Sequence, residues 1–499
     1  MTGVSLGFWF LAAACFALVA GGVSAATGTL TGSRPNIVIV MTDDQGYGEL
    51  GCHGNPVLKT PNLDRLHAQS LRFTSFHVSP TCSPTRAALL TGRHEFRSGV
   101  THTILERERL SLDAATLADV LRGAGYVTGI FGKWHLGDEM EYLPERRGFD
   151  SVFIHGGGGI GQSYPGSCGD IPENRYHDPI VWNDGRLEQT QGYCTDVFMD
   201  RAIRWIRRQR AADRPFLAYV TPNAPHAPHV IPSEDWVAPY RRLGLPEPLA
   251  AYYAMIGHFD AALGRLIGAL EEMDRASDTL VVFLTDNGHS VADGFNAGMR
   301  GTKGTPYEGG TRVPCFWYWP GRLTAGVDCA ALTAHLDVFP TLAVLAGADP
   351  GPWRRQVEGR SLVPLLENPS APWPDRLLVT HVGRWEPGEA EASRFRSCAI
   401  RDSRYKLVNG VELYDLATDP GEREDVAAQH PGVVDRLRVA YEAWWDEILP
   451  ATRANEWALG PYLNPFAVRW WNQSGDSRTG AQVDRMDPSL KFVRPRPRF

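Results

Sequence analysis

The sequence has no CxxC pair, no long basic block and, after its first 25 residues, no further apolar run long enough to cross a bilayer. The missing CxxC pairs argue against a zinc knuckle. The missing basic block and a net charge of -7 argue against nucleic-acid binding. Internal repeats and heptads are also absent. What remains, 43% hydrophobic and 21% charged residues among 499, is the composition of a globular protein with one large core or two domains.

The first residues form an apolar stretch without charge, "LGFWFLAAACFALVAGG", followed by "VSA" at Val23 to Ala25. This pattern predicts a signal peptide at residues 1–25 and a secreted or periplasmic protein without stable membrane insertion after cleavage. An uncleaved anchor is the alternative, because no Lys or Arg precedes the apolar run. Seven cysteines remain after cleavage. If Cys82 is reserved for chemistry, the other six could pair in an oxidising compartment.

Apolar strands alternate with helical segments along most of the chain. A β-branched run at Asn36 to Met41 predicts a buried strand that ends at an acidic turn, and Thr279 to Leu284 repeats this design. Amphipathic helices and further strands lie between them. The alternation predicts an α/β fold with a sheet covered by helices on both faces. The Gly-rich segment Gly156 to Asp178 is expected to form a loop over the strand ends.

The pattern changes near Pro372 to Pro374. "RDSRYKLV" and "VELYDLATDPGERED" predict two antiparallel strands, and "VVDRLRVAYEAWWDEIL" predicts a closing helix. We therefore expect a catalytic domain at residues 26–372, a smaller C-terminal α+β subdomain at 373–450 and an extension at 451–499. Of the tryptophans in the extension, Trp470 and Trp471 are expected to pack against the protein.

The stretch "SPTCSPTRAALLTGR" places Cys82 beside a helix start. Ser83 is a good N-cap and Pro84 suits the first helical position, so Cys82 is expected just outside the helix N-terminus. Free backbone N–H groups and the nearby Arg86 favour an anion there. This reading allows a cysteine nucleophile. A buried cysteine beside a capping serine is the alternative.

Acidic turns follow two of the predicted strands. Asp43 and Asp44 follow the first strand, and Asp286 and Asn287 follow the later one. Ligands gather at the carboxyl ends of strands in such sheets. Oxygen ligands without histidine or cysteine suit Ca²⁺ or Mg²⁺. The pair of turns therefore predicts a metal site, whereas one such turn alone is also compatible with a solvated loop.

The CxPxR pattern followed by "AALLTGR" resembles the signature of type I sulfatases, which belong to the alkaline phosphatase superfamily. Further matching segments follow in family order from Arg34 to about Asp425, among them "PNIVIVMTDDQGYGELGCHGNP", "GKWHLG", "APHAP", "TDNG" and "KGTPYEGGTRVP". The resemblance implies an alkaline phosphatase-like fold, with a large central mixed β-sheet and a smaller C-terminal domain that holds a short antiparallel sheet. It also implies a sulfuric ester hydrolase acting on a sulfated carbohydrate or an aryl sulfate.

The same resemblance implies that a maturation enzyme oxidises Cys82 to 3-oxoalanine (Cα-formylglycine). It implies one Ca²⁺, since the family usually uses calcium. The metal ligands would be Asp43, Asp44, Asp286, Asn287 and a hydroxyl of the modified Cys82.

Five further residues occupy family motif positions, and their roles are implied by the resemblance. Arg86 and Lys133 would contact the sulfate and the nucleophile, and His135 would act as a base. His226 and Lys303 would help to protonate the leaving group. Lys133 and His135 flank a tryptophan, so we expect both on one side of an extended loop.

The implied reaction has two halves. One hydroxyl of the hydrated aldehyde attacks sulfur and the alcohol leaves, and deprotonation of the second hydroxyl then expels sulfate. Two alternatives remain from the sequence. The protein could be a phosphoester or phosphonate monoester hydrolase of the same superfamily, or a non-catalytic binding protein in which Cys82 stays a thiol.

Overall fold

The structure is a computed structural model that describes Met1 and residues 29–164, 168–212, 214–273, 275–351, 353–454 and 464–475. Apart from Met1, the predicted signal peptide at residues 1–25 lies outside the described residues, as does most of the extension at 451–499. Within the described ranges, none of the helices combines the length and apolar character needed to cross a membrane.

The chain alternates strands with helices over its first three quarters and ends with a group of strands and two helices. The strands are β1 Asn36–Thr42, β2 Leu71–Phe73, β3 Phe76–His77, β4 Val127–Lys133, β5 Ser151–His155, β6 Ile180–Asn183, β7 Arg186–Gln189, β8 Phe216–Thr221, β9 Thr279–Thr285, β10 Cys315–Tyr318, β11 Val327–Cys329, β12 Thr333–Ala334, β13 Leu378–His381, β14 Cys398–Arg401, β15 Tyr405–Val408 and β16 Glu412–Asp415. The helices are α1 Pro61–Gln69, α2 Cys82–Thr91, α3 Leu117–Gly123, α4 Cys194–Ala211, α5 Glu234–Arg242, α6 Glu247–Glu272, α7 Glu308–Thr311, α8 Val338–Leu345, α9 Val363–Glu367, α10 Pro431–Ala454 and α11 Pro465–Ser474.

Ten strands form the central sheet in the order β11-β2-β10-β9-β1-β8-β4-β5-β6-β7. The middle strands β9, β1, β8, β4 and β5 are parallel, whereas β10 is antiparallel to β9 and β6 to β5. The predicted large mixed sheet is therefore confirmed. In the register of β1 and β9, Thr42 lies opposite Thr285. The acidic turns that follow these two residues consequently begin side by side.

The sheet is buried on both faces because alternate side chains of its strands enter different cores. In β1, Ile37, Ile39 and Met41 belong to one core, and Val38 and Val40 belong to the other. Helices α2, α3 and α8 cover the first face, and α1, α4 and α6 cover the second. This explains why the strands appear in the sequence as near-continuous apolar runs.

Helix α2 begins two residues earlier than the sequence predicts. Thr81 is at the N-cap with extended backbone angles (φ -148°, ψ 157°), so Cys82 is the first helical residue. Ser83 does not cap the helix, because its Oγ donates a 2.6 Å hydrogen bond to the carbonyl of His135. The predicted cap is wrong because Ser83 has a tertiary partner that is distant in sequence. Cys82 still lies in the first turn, where backbone N–H groups have no partner within the helix.

The C-terminal part has its own four-stranded antiparallel sheet in the order β13-β14-β15-β16. Helix α10 packs on this sheet through Leu437, Tyr441 and Trp445, which share a core with Ile400 and Leu407. The predicted short antiparallel sheet and closing helix are confirmed, with β13 and β14 added by the structure. The domain boundaries themselves stay predictions.

Part of the C-terminal extension returns to the central sheet as α11. Gln473 pairs with the backbone of Leu187 in β7, and the ring of Phe466 lies 6.1 Å from that of Trp182. Trp471 is buried and Trp470 packs beside it, in agreement with the packing role expected for both.

None of the seven cysteines within the described residues forms a disulfide. The possibility that six of them pair is therefore not realised. They lie in separate elements of the fold, for example Cys52 in a turn, Cys194 at the start of α4 and Cys398 in β14.

We predict that Trp445→Ala lowers the stability of the C-terminal part by about 3–5 kcal/mol, because large-to-small changes in a core leave a cavity. Trp445 is fully buried, and its ring lies 5.1 Å from that of His381. The measurement is the denaturation midpoint of the purified protein. Val439→Ala on the exposed side of the same helix is the control and should leave the midpoint unchanged. Equal midpoints for Trp445→Ala and the parent would contradict this packing.

Candidate active site

The predicted site residues come together at the carboxyl ends of the central parallel strands. Asp43 and Asp44 follow β1, Asp286 and Asn287 follow β9, and Lys133 is the last residue of β4. This is the edge of an open α/β sheet where ligands normally bind. Loops after β8 and β9 bring two more of the predicted residues, and the N-terminus of α2 brings Cys82.

Asp43, Asp44 and Asp286 form an acidic cluster, and Cys82 lies directly against it. Its Sγ and carboxylate oxygens of Asp43 and Asp286 all lie within 4.8 Å of one another, and all three residues are buried. The two strands and α2 thus converge on one point. A nucleophile at position 82 would be in reach of any cation that these carboxylates hold.

Arg86 and Lys133 neutralise the inner side of the cluster. Arg86 Nη2 is 2.8 Å from Asp286 Oδ2, and Lys133 Nζ is 2.7 Å from Asp43 Oδ2. Arg86 Nη1 also donates to the backbone carbonyl of Lys133 at 3.1 Å, as Thr221 Oγ1 does at 2.8 Å. Both cations are fully buried, so their positions are fixed by these contacts.

Lys303 and His226 lie on the more open side, both against Asp44. Lys303 Nζ is 2.5 Å from Asp44 Oδ1, and His226 Nε2 is 3.8 Å from Asp44 Oδ2. Burial alone would lower the pKa of Lys303, but attraction to Asp44 outweighs it and raises that pKa above its ordinary value. Burial lowers the pKa of His226 to about 3. At neutral pH the site therefore holds a charged lysine and a neutral imidazole here.

His135 is buried with one ring nitrogen committed and the other free. Its Nε2 donates to the carbonyl of Thr103 at 2.7 Å, and its Nδ1 has no hydrogen-bond partner among the described residues. Burial, with a further contribution from Lys133, lowers the pKa of His135 well below its usual value. The ring is consequently neutral, with a lone pair on Nδ1.

Two of these residues have left-handed backbone angles, Asp44 with φ 64° and His135 with φ 60°. The prediction of an extended loop across Lys133 and His135 is therefore wrong, since the chain turns at His135. Such angles are unfavourable for residues other than glycine and cluster at functional sites. Asp44 is held by two contacts, a hydrogen bond from its N–H to Asp286 Oδ1 and one from the Tyr252 hydroxyl to its carbonyl.

The oxygen atoms of the cluster fit a hard divalent cation. Asp43 Oδ1 and Asn287 Oδ1 are buried and have no hydrogen-bond partner among the described residues. Burial raises the pKa of Asp43, and burial together with repulsion from Asp43 raises the pKa of Asp286. Three carboxylates (Asp43, Asp44 and Asp286) are paired with the three basic side chains of Arg86, Lys133 and Lys303. A bound Ca²⁺ would therefore give the site surplus positive charge, which favours an anionic substrate.

The Gly-rich segment after β5 covers His135, as expected of a loop over the strand ends. An added Cβ at Gly158 would lie 2.8 Å from the His135 ring. Sequence reasoning missed this contact, and it also missed Thr103 and Tyr252. The run of four glycines was a signal for a close approach, but nothing in the sequence marks a backbone carbonyl or a tyrosine within a buried helix.

Comparison with known proteins gives the class of the protein. The sulfatase family model matches residues 35–348, and the model for the C-terminal region of N-sulphoglucosamine sulphohydrolase matches residues 302–439. Arylsulfatase G of Mus musculus is 35% identical over 448 residues, with 80% of this chain and 81% of that protein covered. N-acetylgalactosamine-6-sulfatase of Sus scrofa is 33% identical over 464 residues, with 81% and 84% covered.

A solved structure supports the same class of protein. The crystal structure of Ps i-CgsB in complex with k-i-k-neocarrahexaose has a TM-score of 0.75 and 25% identity, and covers 89% of this chain and 98% of its own. The chain belongs to the sulfatase family. It is an enzyme that hydrolyses sulfate esters.

The phosphonate alternative has support from fold alone. Phosphonate monoester hydrolase of Agrobacterium radiobacter has a TM-score of 0.57 and 23% identity, with 85% of this chain and 96% of that chain covered. A shared scaffold at this level does not imply a shared reaction. The family membership favours sulfate esters over this alternative and over a non-catalytic protein.

We predict that Gly158→Ala lowers kcat on a chromogenic aryl sulfate by on the order of a hundredfold, because a catalytic group displaced by about 1 Å loses its alignment. The new methyl group would lie 2.8 Å from Cε1 and Nε2 of His135, so the ring must move from the position in which Nε2 bonds to Thr103. Gly159→Ala is the matched control, since the three atoms nearest to its Cβ would all belong to the end of the Gln162 side chain. Equal activities of the two variants at equal stability would contradict the contact.

Proposed function

We propose that this sulfatase hydrolyses a sulfated carbohydrate with Cys82, oxidised to Cα-formylglycine, as its nucleophile and with one bound Ca²⁺. The observation that carries the proposal is the placement of Cys82, whose Sγ lies within 4.8 Å of carboxylate oxygens of Asp43 and Asp286. The oxidised residue would supply, as its hydrate, one oxygen that attacks sulfur and a second hydroxyl whose deprotonation expels sulfate.

A Ca²⁺ would be held by Asp43, Asp44, Asp286 and Asn287, with an oxygen of the modified Cys82 completing the set. Bound there, it would supply positive charge to a sulfate oxygen and lower the pKa of the coordinated hydroxyl. The free carbonyl oxygen of Asn287 and the free Oδ1 of Asp43 support this assignment. The amide Nδ2 of Asn287 donates to Asp44 Oδ1 and to the Gly288 carbonyl, each at 2.9 Å, which leaves the side-chain oxygen of Asn287 available.

Arg86 and Lys133 would fix the sulfate and the nucleophile. Both are fully buried and held by carboxylates. Cations positioned in advance stabilise charge that develops on the oxygens of a transferring group without reorganisation at the moment of reaction. Substitution of either one would leave a buried carboxylate unpaired, so we expect structural as well as catalytic effects.

His135 would accept the proton from the second hydroxyl. Its Nε2–H is committed to Thr103, which leaves the lone pair on Nδ1 as the only proton acceptor of the ring. Because burial keeps the imidazole neutral, it can take a proton at neutral pH without first losing one.

Lys303 would protonate the leaving alcohol, and His226 would orient it. Lys303 remains charged because Asp44 raises its pKa. His226 Nδ1 lies 2.6 Å from the carbonyl of Ala227 and therefore carries the proton of the neutral ring. Its Nε2 then has a lone pair and no proton to donate. We therefore assign acid catalysis to Lys303 alone, whereas the family resemblance implied that His226 also helps to protonate the leaving group.

The substrate class rests on the names of relatives and on a neighbour's ligand. One relative is an N-acetylgalactosamine-6-sulfatase, and one structural neighbour was solved with a neocarrahexaose. We infer a sulfated carbohydrate, with aryl sulfates as convenient surrogates. We also infer a maturation enzyme that oxidises Cys82, and export to the periplasm or the medium from the apolar stretch at residues 1–25.

We predict that peptide mass spectrometry of the active enzyme finds Cys82 lighter than a cysteine, because formylglycine has oxygen in place of the thiol sulfur. Cys82→Ala should abolish turnover of an aryl sulfate while the far-UV circular dichroism is retained. Cys194→Ala, at another buried cysteine, is the control and should keep its activity. An active enzyme with an unmodified thiol at position 82, or turnover by Cys82→Ala, would rule out the proposed nucleophile.

We predict that the purified enzyme contains about one calcium per chain and loses activity on chelation, with recovery on addition of Ca²⁺. Asp44→Asn should lose the metal, as measured by elemental analysis. Asp278→Asn is the matched control, since Asp278 is exposed just before β9, at the opposite end of that strand, and it should retain the metal. A rate that chelation leaves unaffected, or full metal content in Asp44→Asn, would contradict the site.

A further inference from the structure

We propose that Cys52, His53 and His67 form a second metal site, separate from the acidic cluster, that binds Zn²⁺ or a similar borderline divalent cation. Nothing in the proposed sulfatase reaction uses these residues. They lie on the second face of the sheet, where the turn at Gly51–His53 meets the last turn of α1.

The three residues already present their ligand atoms to one another. The sulfur of Cys52 and one nitrogen of each histidine all lie within 4.8 Å of one another. A tetrahedral zinc site with bonds of about 2.0–2.3 Å needs separations of about 3.5 Å between ligand atoms. Small side-chain rotations of Cys52 and His67 would close the remaining distance. The three are half-buried, so a cation can reach them and a water can complete the coordination.

Neighbouring groups orient His53 as they do for metal-bound histidines. Its Nδ1 lies 2.7 Å from the carbonyl of Tyr47, and the Tyr47 ring stacks on it at 4.0 Å. A carbonyl can only accept, so Nδ1 carries the proton and Nε2 has the lone pair. A backbone carbonyl that fixes the tautomer in this way is a common outer partner of a metal-ligating histidine.

Asp64 fixes the backbone at Cys52. Its Oδ1 accepts hydrogen bonds from the Cys52 N–H at 2.8 Å and from Thr60 Oγ1 at 2.9 Å. A cysteine binds a metal ion as the thiolate. Binding replaces the S–H bond by a metal–sulfur bond and releases the proton to solvent, with no change of oxidation state.

The donor set separates this site from the acidic cluster. One sulfur and two imidazole nitrogens suit Zn²⁺, whereas Ca²⁺ prefers oxygen ligands. Arg72 opposes binding, because its Nη1 lies 3.3 Å from His67 Nδ1 and can only donate to it, so metal binding at His67 must displace this contact or move the ring proton to Nδ1. Arg72 Nε is paired with Asp328 at 2.6 Å.

A cation here would fasten the segment that follows β1 to helix α1. The same segment begins with Asp43 and Asp44. We therefore expect metal binding to stabilise the fold, and we place no requirement on turnover.

The test uses a Cys82→Ser protein in excess Ca²⁺. The substitution removes the thiol at the acidic cluster, and the Ca²⁺ occupies that cluster. Co²⁺ added to this parent should give a thiolate-to-cobalt charge-transfer band and the visible bands of four-coordinate cobalt. Zn²⁺ should displace the Co²⁺, release protons and raise the thermal unfolding temperature. A parent that shows no charge-transfer band would overturn the proposal.

Cys52→Ser should abolish the charge-transfer band, and His67→Gln should weaken Zn²⁺ binding by at least about tenfold, the scale on which metal sites respond to lost partners. His430→Gln, at a half-buried histidine outside the cluster, is the control and should bind as the parent does. Retention of the band in Cys52→Ser, or unchanged Zn²⁺ affinity in His67→Gln, would overturn the site.

Alkylation provides a measurement that needs no variant at the site. Cys52 is the half-buried cysteine of the described set, and the other six are buried. In the folded parent, Zn²⁺ should slow alkylation of Cys52, mapped by peptide mass spectrometry, while Ca²⁺ should not. Equal alkylation rates with and without Zn²⁺ would count against a metal–sulfur bond.

Discussion

The structure depends on the parallel pairing of β1 with β9, because this pairing brings three carboxylates together away from water. Thr42 and Thr285 lie opposite each other, so the chain leaves the sheet at the same level in both strands and Asp43 and Asp286 become neighbours. Isolated charges are very costly to bury. Arg86 and Lys133 are therefore required by the fold as well as by the proposed chemistry. Removing one partner of such a buried pair typically costs about 3–5 kcal/mol.

The same requirement explains why the site is supported by groups that never meet the substrate. Backbone carbonyls and hydroxyls support several groups of the site: the Thr103 carbonyl holds the His135 ring, the Lys133 carbonyl holds Arg86, and the Tyr252 hydroxyl holds the Asp44 backbone. Asp44 and His135 keep left-handed backbone angles that an unsupported chain would relax. The strain is tolerated because several elements meet at this edge of the sheet. A close-packed support of this kind holds reacting groups in the alignment that catalysis needs.

The sequence predicts the α/β class, the two acidic turns and the C-terminal sheet, because each depends on local pattern. Prediction from sequence fails where the position of a side chain is set by a contact with a residue that is distant in the chain. The sequence predicts that Ser83 caps α2, but the Ser83 hydroxyl donates to the carbonyl of His135 in another loop. The sequence predicts an extended chain at His135, but the backbone there has a left-handed φ of 60°. The pairing of Lys303 with Asp44 joins segments that are far apart in the chain, so no local pattern marks it, and only the family resemblance brought Lys303 into the candidate site.

The segment after β1 combines two kinds of ligand chemistry within a short length of chain. Asp43 and Asp44 offer hard oxygen atoms in a buried cluster that includes three cations, whereas Cys52 and His53 offer sulfur and nitrogen in a half-exposed turn. A hard cation gains little from thiol and imidazole ligands, so the proposed Ca²⁺ would bind the first set. Zn²⁺ accepts carboxylates as well, but the sulfur and the two imidazoles would bind it without displacing the salt bridges of the acidic cluster. Donor type and local charge together therefore assign the two cations to different ends of one segment.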